Sequence, residues 1–375
     1  MSSLAQWIID LKTAIANGDR PYFPMRRLLV PGPQPLHGDG FMRFQGIGPI
    51  NRPGLPPESM SVVQWCAAGK PDDYLKDSEL GASIGAVLTL VLDRRVEVLE
   101  EVPLSMEGSP QTTFLGFNSV FDRRLGSPFD SAGLDDHLRE LISNLVSLAD
   151  DDQAALTAAM DLYYGATLLF EKDLAAAYTL LVAGLEALSR QYGEPPTEWS
   201  AWEQARSWDK FARAQALSSE QVEALRGKLM ESQHLRLKET FANYVVRGLD
   251  DTFWDQEWKE WIYEVLISDG VYGDGGSWQV EKHVRDFLTQ DREELHQALR
   301  KSYDARSGFV HAGNRTISTA NEIYGLVHTV TADRPLPYSV LRSVLAELIK
   351  KELRDRATAF ELPQVVMSND PRSTT

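Results

Sequence analysis

An arginine and a histidine near the end of one amphipathic segment are the residues of this sequence best suited to catalysis. Arg306 and His311 lie five positions apart in "LHQALRKSYDARSGFVHAGNR", residues 295–315. An imidazole can take up and return a proton near neutral pH. A guanidinium can bind a phosphate bidentately and stabilise the charge of a pentacoordinate phosphorus. Together these groups suffice for RNA cleavage without a metal ion, in which the 2′-hydroxyl attacks the adjacent phosphate.

The segment before His311 predicts a helix, over about residues 280–307, whose apolar side runs into the arginine. Its members at three- and four-residue spacing are Leu295, Leu299, Tyr303 and Arg306. Three structural interpretations of Arg306 compete with a catalytic one. In the first, the stem of Arg306 is half-buried and its charged end reaches solvent. In the second, the guanidinium pairs with a buried carboxylate such as Glu186. In the third, the apolar spacing simply stops being regular where the helix ends near Gly308.

A straight helix would not bring the two candidate side chains together. Five residues correspond to a rotation of about 140°, so Arg306 and His311 would point in different directions. Gly308 lies between them and is where a helix can kink or end. We therefore expect a kink or a helix end at Gly308 if the two side chains share one surface.

The composition indicates a soluble, cytoplasmic protein. The 375 residues are 43% hydrophobic and 25% charged, with a single cysteine, Cys66, which excludes an internal disulfide framework. The net charge of −16 argues against a broad, non-specific coat of nucleic acid. The balance reverses locally over residues 300–315, where Asp304 is the one acid among the bases Arg300, Lys301, Arg306 and Arg315.

The pattern along the chain predicts a mostly α protein. Residues 1–130 are expected to form a small α+β domain, with strands at 41–45, 94–102 and 112–121. Residues 131–360 are expected to be entirely helical, and residues 361–375 a disordered tail. Predicted helices cover residues 1–20, 76–93, 134–149, 152–170, 173–193 and 338–357, and two or three more lie within 198–249. Gly193 is expected to cap the C-terminus of the 173–193 helix.

Other side chains favour packing over chemistry. Trp254, Trp258 and Trp261 recur at helical spacing, which is more typical of core or dimer packing than of a ligand platform. His234, His283 and His296 fall on predicted polar faces, and none of the other histidines of the sequence forms a zinc-binding pattern either. No metal site and no cofactor are therefore expected, and no segment is long and apolar enough to span a membrane.

The motif and its setting resemble a known family. "RSGFVH" fits the Arg, four-to-six residues, His signature of the HEPN superfamily, and "RSGFVHAG" resembles the R-x-x-x-V-H-x-G segment of its Apea-like branch. Upstream, "DLAAAYTLLVAGLEALSRQYG" resembles that branch's helix with an apolar run into "LEAL". The resemblance covers roughly the C-terminal 230 residues.

The resemblance implies a helical bundle that pairs as a homodimer and cleaves RNA, tRNA among the candidates, as a metal-independent endoribonuclease in antiphage defence or a toxin system. Arg306 would bind the phosphate and stabilise the transition state, and His311 would act as general base or acid, or hold the scissile phosphate, in a cleft composed of both subunits. Ser307 lies directly after the arginine, where active members of the family often have Asn, Asp or His. Asn314 and Arg315 would contact the RNA backbone, and Glu186 would hold Arg306 in place.

Two hypotheses of different classes remain open. In the first, the protein is a dimeric endoribonuclease whose 1–130 region senses a trigger or binds a regulatory partner. In the second, the bundle is a catalytically inactive module for dimerisation or for binding RNA or protein. The intact Arg306 and His311 favour the first, whereas Ser307, the overall acidity and the tryptophan-rich segment favour the second.

Overall fold

The structure, a computed structural model, describes twelve stretches of the chain. They are residues 3–19, 27–31, 42–50, 58–66, 78–93, 96–99, 134–170, 172–202, 204–256, 283–286, 288–312 and 334–358. These residues are mostly helical, which confirms the predicted class. None of the helices within these stretches is long and apolar enough to cross a bilayer.

The α-helices of the described residues, in chain order, are α1 Ser3–Ala16, α2 Ser78–Leu92, α3 Leu134–Ser147, α4 Asp150–Leu169, α5 Leu174–Tyr192, α6 Ala205–Ala214, α7 Ser219–Glu231, α8 Leu237–Gly248, α9 Asp251–Trp254, α10 Arg292–Ala312 and α11 Tyr338–Arg356. Short 3-10 helices cover Trp199–Ala201, Gln233–Arg236 and Val284–Asp286. The strands are β1 Arg27–Pro31, β2 Met42–Ile50, β3 Glu58–Trp65 and β4 Glu97–Leu99.

The chain divides into two compact units. The first consists of residues 1–171, 259–276 and 350–375, and the second of residues 172–258 and 277–349. Helices α3 and α4 thus belong to the first unit, where both pack against α2. The predicted division into 1–130, 131–360 and a tail at 361–375 remains a prediction, and the tail lies outside the described residues.

The first unit contains an antiparallel sheet with strand order β2-β3-β1-β4. Strands β1 and β3 were not predicted, because they lie in or beside a stretch rich in proline and glycine that favours turns. The register of β2 against β3 shifts between Gly46 and Gly48, the irregularity expected of a β-bulge. A separate α+β domain over residues 1–130 remains a prediction, and its predicted strand at 112–121 lies outside the described residues.

The helical part of the first unit forms around α2. Its sequence "GASIGAVLTLVL" is apolar on all sides, and such a helix is stable in water only when other elements cover it. Helices α1, α3 and α4 pack against it. The indole N–H of Trp7 on α1 donates a hydrogen bond to the carbonyl oxygen of Cys66 at 2.7 Å, so this large ring is buried without an unpaired donor.

In the second unit, α5, α8 and α10 pack against one another. The apolar side of α5 is completely buried, and its members include Tyr178, Leu181, Val182, Leu185 and Leu188. Gly193 ends α5 as predicted, with its N–H donating to the carbonyl oxygen of Ser189. Helix α11 also buries one apolar side, which comprises Val340, Val344, Leu345, Leu348 and Ile349.

Helix α10, which carries the candidate residues, begins and ends later than the predicted 280–307. The prediction was wrong at the start because Asp291 caps the helix: its carboxylate accepts hydrogen bonds from the backbone N–H groups of Glu293 and Glu294, at 2.8 and 3.2 Å. It was wrong at the end because the helix continues through Gly308 to Ala312. Leu295 and Leu299 of the predicted stripe are buried.

Two side chains hold the backbone that leads into α11. The N–H of Leu336 donates to the hydroxyl oxygen of Ser302 at 2.8 Å, and that hydroxyl donates to the carbonyl oxygen of Ala298 at 3.0 Å. The hydroxyl of Tyr178 donates to the carbonyl oxygen of Leu336 at 2.9 Å. Helices α5 and α10 therefore satisfy both backbone groups of one buried residue that lies outside any helix.

We expect Ser302→Ala to lower the free energy of unfolding by about 1–3 kcal/mol, since the buried N–H of Leu336 would lose its acceptor. Urea denaturation measures the change. Ser207→Ala is the matched control, because Ser207 lies exposed on α6 and its replacement should alter the free energy by less than about 0.5 kcal/mol. Equal midpoints for the two variants would contradict the assigned role of Ser302.

Candidate functional site

The guanidinium of Arg306 lies against a buried carboxylate of a neighbouring helix. Nη2 of Arg306 on α10 is 3.3 Å from Oε2 of Glu186 on α5. The side chain of Glu186 is only 6% exposed and that of Arg306 is 23% exposed. Of the interpretations open from the sequence, the structure therefore shows the pairing of Arg306 with Glu186. A buried carboxylate is costly without a cationic partner, which explains why these residues adjoin.

Glu186 serves a second arginine as well. Arg190 follows it by one turn of α5, and its Nη2 bonds to Oε1 of Glu186. The side chain of Arg190 is 58% exposed, so its charge faces solvent. Two guanidiniums that share one carboxylate leave one positive charge in excess at this position. Such an excess suits the binding of an anion such as a phosphate.

The contact between Arg306 and Glu186 is an ion pair without hydrogen-bond alignment. Within the described part of the chain, Oε2 of Glu186 and Nε of Arg306 are buried and have no hydrogen-bond partner. A guanidinium carries five N–H donors, and the contact with Glu186 involves only Nη2 of Arg306 among the described residues. The partly exposed guanidinium thus keeps donors for an acceptor from outside the subunit.

Tyr303 lies one turn before Arg306 and borders the same pair. Its ring packs against that of Phe241 on α8, with centroids 5.6 Å apart. Burial raises the pKa of the Tyr303 hydroxyl above its ordinary value, and the charge of Glu186 raises it further. The phenol is therefore neutral at physiological pH.

His311 lies on a different side of α10 from Arg306. The side chain is exposed, and it follows Val310, which is 50% exposed. The expected helix end at Gly308 is wrong, because the helix is continuous to Ala312. The rotation of about 140° between Arg306 and His311 is therefore retained. Within one chain the two side chains diverge.

The supporting residues predicted from the sequence are only partly described. Ser307 is half-buried on α10, next to Arg306. Asn314 and Arg315 lie outside the described residues, and so does most of the tryptophan-rich segment beyond Trp254. Two charges of residues 300–312 have partners on α8: Asp304 pairs with Lys238 at 2.8 Å, and Arg300 faces a carboxylate.

That carboxylate belongs to a polar cluster that the sequence analysis missed. Glu239 on α8 lies 3.1 Å from Nε2 of His296 and 3.8 Å from Nε of Arg300, both on α10. The side chains of Glu239 and His296 are only 12% and 13% exposed, so the expectation that His296 lies on a polar face is wrong. Burial lowers the pKa of the Arg300 guanidinium from its ordinary value.

The two clusters explain how α10 is oriented. Glu239 of α8 contacts the first half of the helix, and Glu186 of α5 contacts the second half. One feature of the sequence points to both clusters: Arg300 and Arg306 lie beside the apolar stripe that contains Tyr303. Their acidic partners lie on other helices, which a single helical pattern cannot identify. Each buried carboxylate restricts the rotation of α10, and so fixes where Arg306 and His311 point.

No group of three or more potential metal ligands is found among the residues that the structure describes. The site is thus characterised by an ion-paired arginine and an exposed histidine on one helix. Comparisons of the whole chain with protein-family models, with curated proteins and with solved structures returned no match.

Proposed function

We propose that this protein is a metal-independent endoribonuclease of the HEPN type, active as a homodimer whose cleft combines Arg306 and His311 from two subunits. The proposal rests on the sequence resemblance and on one observation: a partly exposed guanidinium is held against a buried carboxylate with one positive charge in excess. The substrate class is RNA, with tRNA among the candidates, and the setting is antiphage defence or a toxin system in the cytoplasm. Residues 1–130 receive the activating signal or partner.

In this mechanism the 2′-hydroxyl of the substrate attacks the adjacent phosphorus. The new O–P bond forms as the bond to the 5′-oxygen of the next nucleotide breaks, which leaves a 2′,3′-cyclic phosphate and a 5′-hydroxyl. Arg306 donates hydrogen bonds to the non-bridging oxygens and stabilises their added negative charge. His311 takes the proton of the 2′-hydroxyl or gives one to the departing 5′-oxygen.

A dimer is proposed because the two side chains diverge within one chain. A second copy related by a two-fold axis would place its own His311 opposite Arg306. The exposed Val310 beside His311 supplies an apolar contact of the kind that such an interface buries. Glu186 keeps Arg306 at the seam in this arrangement.

A second candidate function has its own support. The pairing of Arg306 with Glu186 satisfies a buried carboxylate inside one subunit, which is a sufficient structural reason for an arginine at this position. On this account the helical unit is an inactive module for dimerisation or for binding RNA or protein. Ser307 in place of the more common Asn, Asp or His favours it as well.

The proposal is tested by incubating the purified full-length protein with total RNA and with tRNA in buffer containing EDTA. We expect cleavage that persists under chelation and produces 5′-hydroxyl ends, which polynucleotide kinase labels without prior phosphatase treatment. Arg306→Ala should abolish it. Arg285→Ala is the matched control, because Arg285 is an arginine of the same unit that pairs with Asp255. Cleavage that needs a divalent ion, or that Arg306→Ala retains, would contradict the proposal.

A further inference from the structure

Helix α6 presents three cations on one exposed side of an acidic protein. Arg206, Lys210 and Arg213 fall within an arc of about 60° on the helix, and all three are exposed. Among the described residues, none forms an ion pair with Arg206 or Lys210. The chain as a whole carries a net charge of −16, so a stripe of this kind is a local exception.

Asp209, the one acidic residue of α6, forms hydrogen bonds with residues outside this row of cations. Nη2 of Arg226 on α7 donates to Oδ1 of Asp209 at 2.9 Å, and the indole N–H of Trp199 donates to the same oxygen at 3.2 Å. The hydrogen bond from Arg226 is the main reason that the pKa of Asp209 lies below its ordinary value. The carboxylate is therefore charged and bonded mainly to Arg226 and Trp199, although the charge of Arg213 also acts on it.

An aromatic side chain flanks the cations on the exposed surface. Phe211 is 48% exposed, and its ring meets that of Trp208 edge-on, with centroids 5.8 Å apart. On the helix, Phe211 lies about 100° from Lys210. The exposed side of α6 thus has the row of cations at one edge and, at the other edge, the ring of Phe211, which contacts Trp208.

The core of the protein does not require this surface. Helix α6 buries only Ala205 and Ala212, both of them small, and α7 has no buried residue. The contacts of Asp209, Arg226 and Trp199 hold the two helices in position instead, with the guanidinium of Arg226 5.3 Å from the centre of the Trp199 ring. A surface that is both charged and aromatic, and that contributes little to the core, is suited to a ligand.

We propose that the exposed side of α6 binds single-stranded RNA, with phosphates along Arg206, Lys210 and Arg213 and a base stacked on Phe211. This inference rests on the proposed ribonuclease function and adds a substrate-binding surface away from the reacting groups. Arg206 and Arg213 are about 10 Å apart along the helix axis, which matches the length of a few nucleotides. Single strands are commonly bound by a basic row that tracks the backbone beside aromatic rings that stack on bases.

Binding is tested with a fluorescein-labelled 2′-O-methyl oligonucleotide, which lacks the attacking hydroxyl and cannot be cleaved. Fluorescence anisotropy at several salt concentrations gives the affinity of the full-length protein. We expect the triple variant Arg206→Ala, Lys210→Ala, Arg213→Ala to bind about tenfold or more weakly, and its salt dependence to fall by about two units of slope. The matched control removes three exposed cations that have carboxylate partners: Lys228→Ala, Arg247→Ala, Arg285→Ala.

Phe211→Ala separates stacking from charge. It should weaken binding roughly five- to 150-fold with no change in the salt slope, since a base loses its aromatic partner while all cations remain. The inference is overturned if both triple variants bind alike, or if wild type binds no RNA. It is also overturned if the α6 cations affect only binding to vesicles containing phosphatidylserine. Binding that depends on α6 without any cleavage in EDTA would overturn the ribonuclease function alone.

Discussion

His311→Ala is expected to reduce RNA cleavage by about 10²–10⁴-fold, the contribution typical of general acid–base catalysis. The same change should alter the free energy of unfolding by less than about 0.5 kcal/mol, because the side chain is exposed at the end of α10. Initial rates of tRNA cleavage in EDTA and urea denaturation of the same preparations measure the two effects. A large loss of activity without a loss of stability is what a proton-transfer role predicts.

His137→Ala is the matched control for this experiment. His137 is also exposed on a helix, but it belongs to α3 of the first compact unit. Its replacement should change neither the rate nor the stability. If His311→Ala cleaves RNA as fast as His137→Ala does, the catalytic assignment of His311 is wrong and the inactive-module interpretation gains support.

Activity is expected to return when an inactive Arg306→Ala subunit is paired with an inactive His311→Ala subunit. The two side chains lie about 140° apart on a continuous helix, so in the proposed dimer the arginine of one chain would act with the histidine of the other. Of the two composite sites in a mixed dimer, one retains both Arg306 and His311, and the other has lost both. The mixed dimer should therefore cleave RNA at about half the wild-type rate.

Mixed dimers are isolated by co-expressing the two variants with different affinity tags and purifying over both resins. Each variant prepared alone with either tag is the control, and neither should cleave RNA. A mixed preparation no more active than the controls would show that Arg306 and His311 do not complement across subunits. A monomeric wild type in size-exclusion chromatography with light scattering would lead to the same conclusion.

Helical periodicity was sufficient to locate most of the helices. The predicted helices over 173–193 and 338–357 were correct because each repeats apolar residues at helical spacing, and the burial of those residues then follows from the hydrophobic effect. The prediction that Gly193 caps the helix was correct because a glycine directly after a helical pattern marks a helix end without reference to any other part of the chain. For Arg306, the sequence supplied Glu186 as one possible partner but no means of choosing among three interpretations.

What the sequence could not supply depends on contacts between elements. His296 was placed on a polar face because its neighbours in the chain are polar, whereas its partner Glu239 comes from α8. The start of α10 was missed although Asp291 followed by two glutamates is a capping signal, because periodicity was extended across it. The continuation beyond Gly308 was missed because a glycine was taken as a break, and a single glycine is tolerated within a helix.

The glycine between the two candidate residues has a consequence for local stability. Gly308 costs the helix about 1 kcal/mol relative to alanine, and nothing packs where its side chain would be. The final turn of α10, which carries His311, therefore opens at lower free energy than the turns that hold Arg306 against Glu186, and its amides should exchange with solvent faster. A partner subunit that closes on this turn would trap one orientation of the imidazole from a small ensemble. In the proposed dimer, Arg306 would already be held by Glu186 before assembly, whereas His311 would be oriented only when the partner binds.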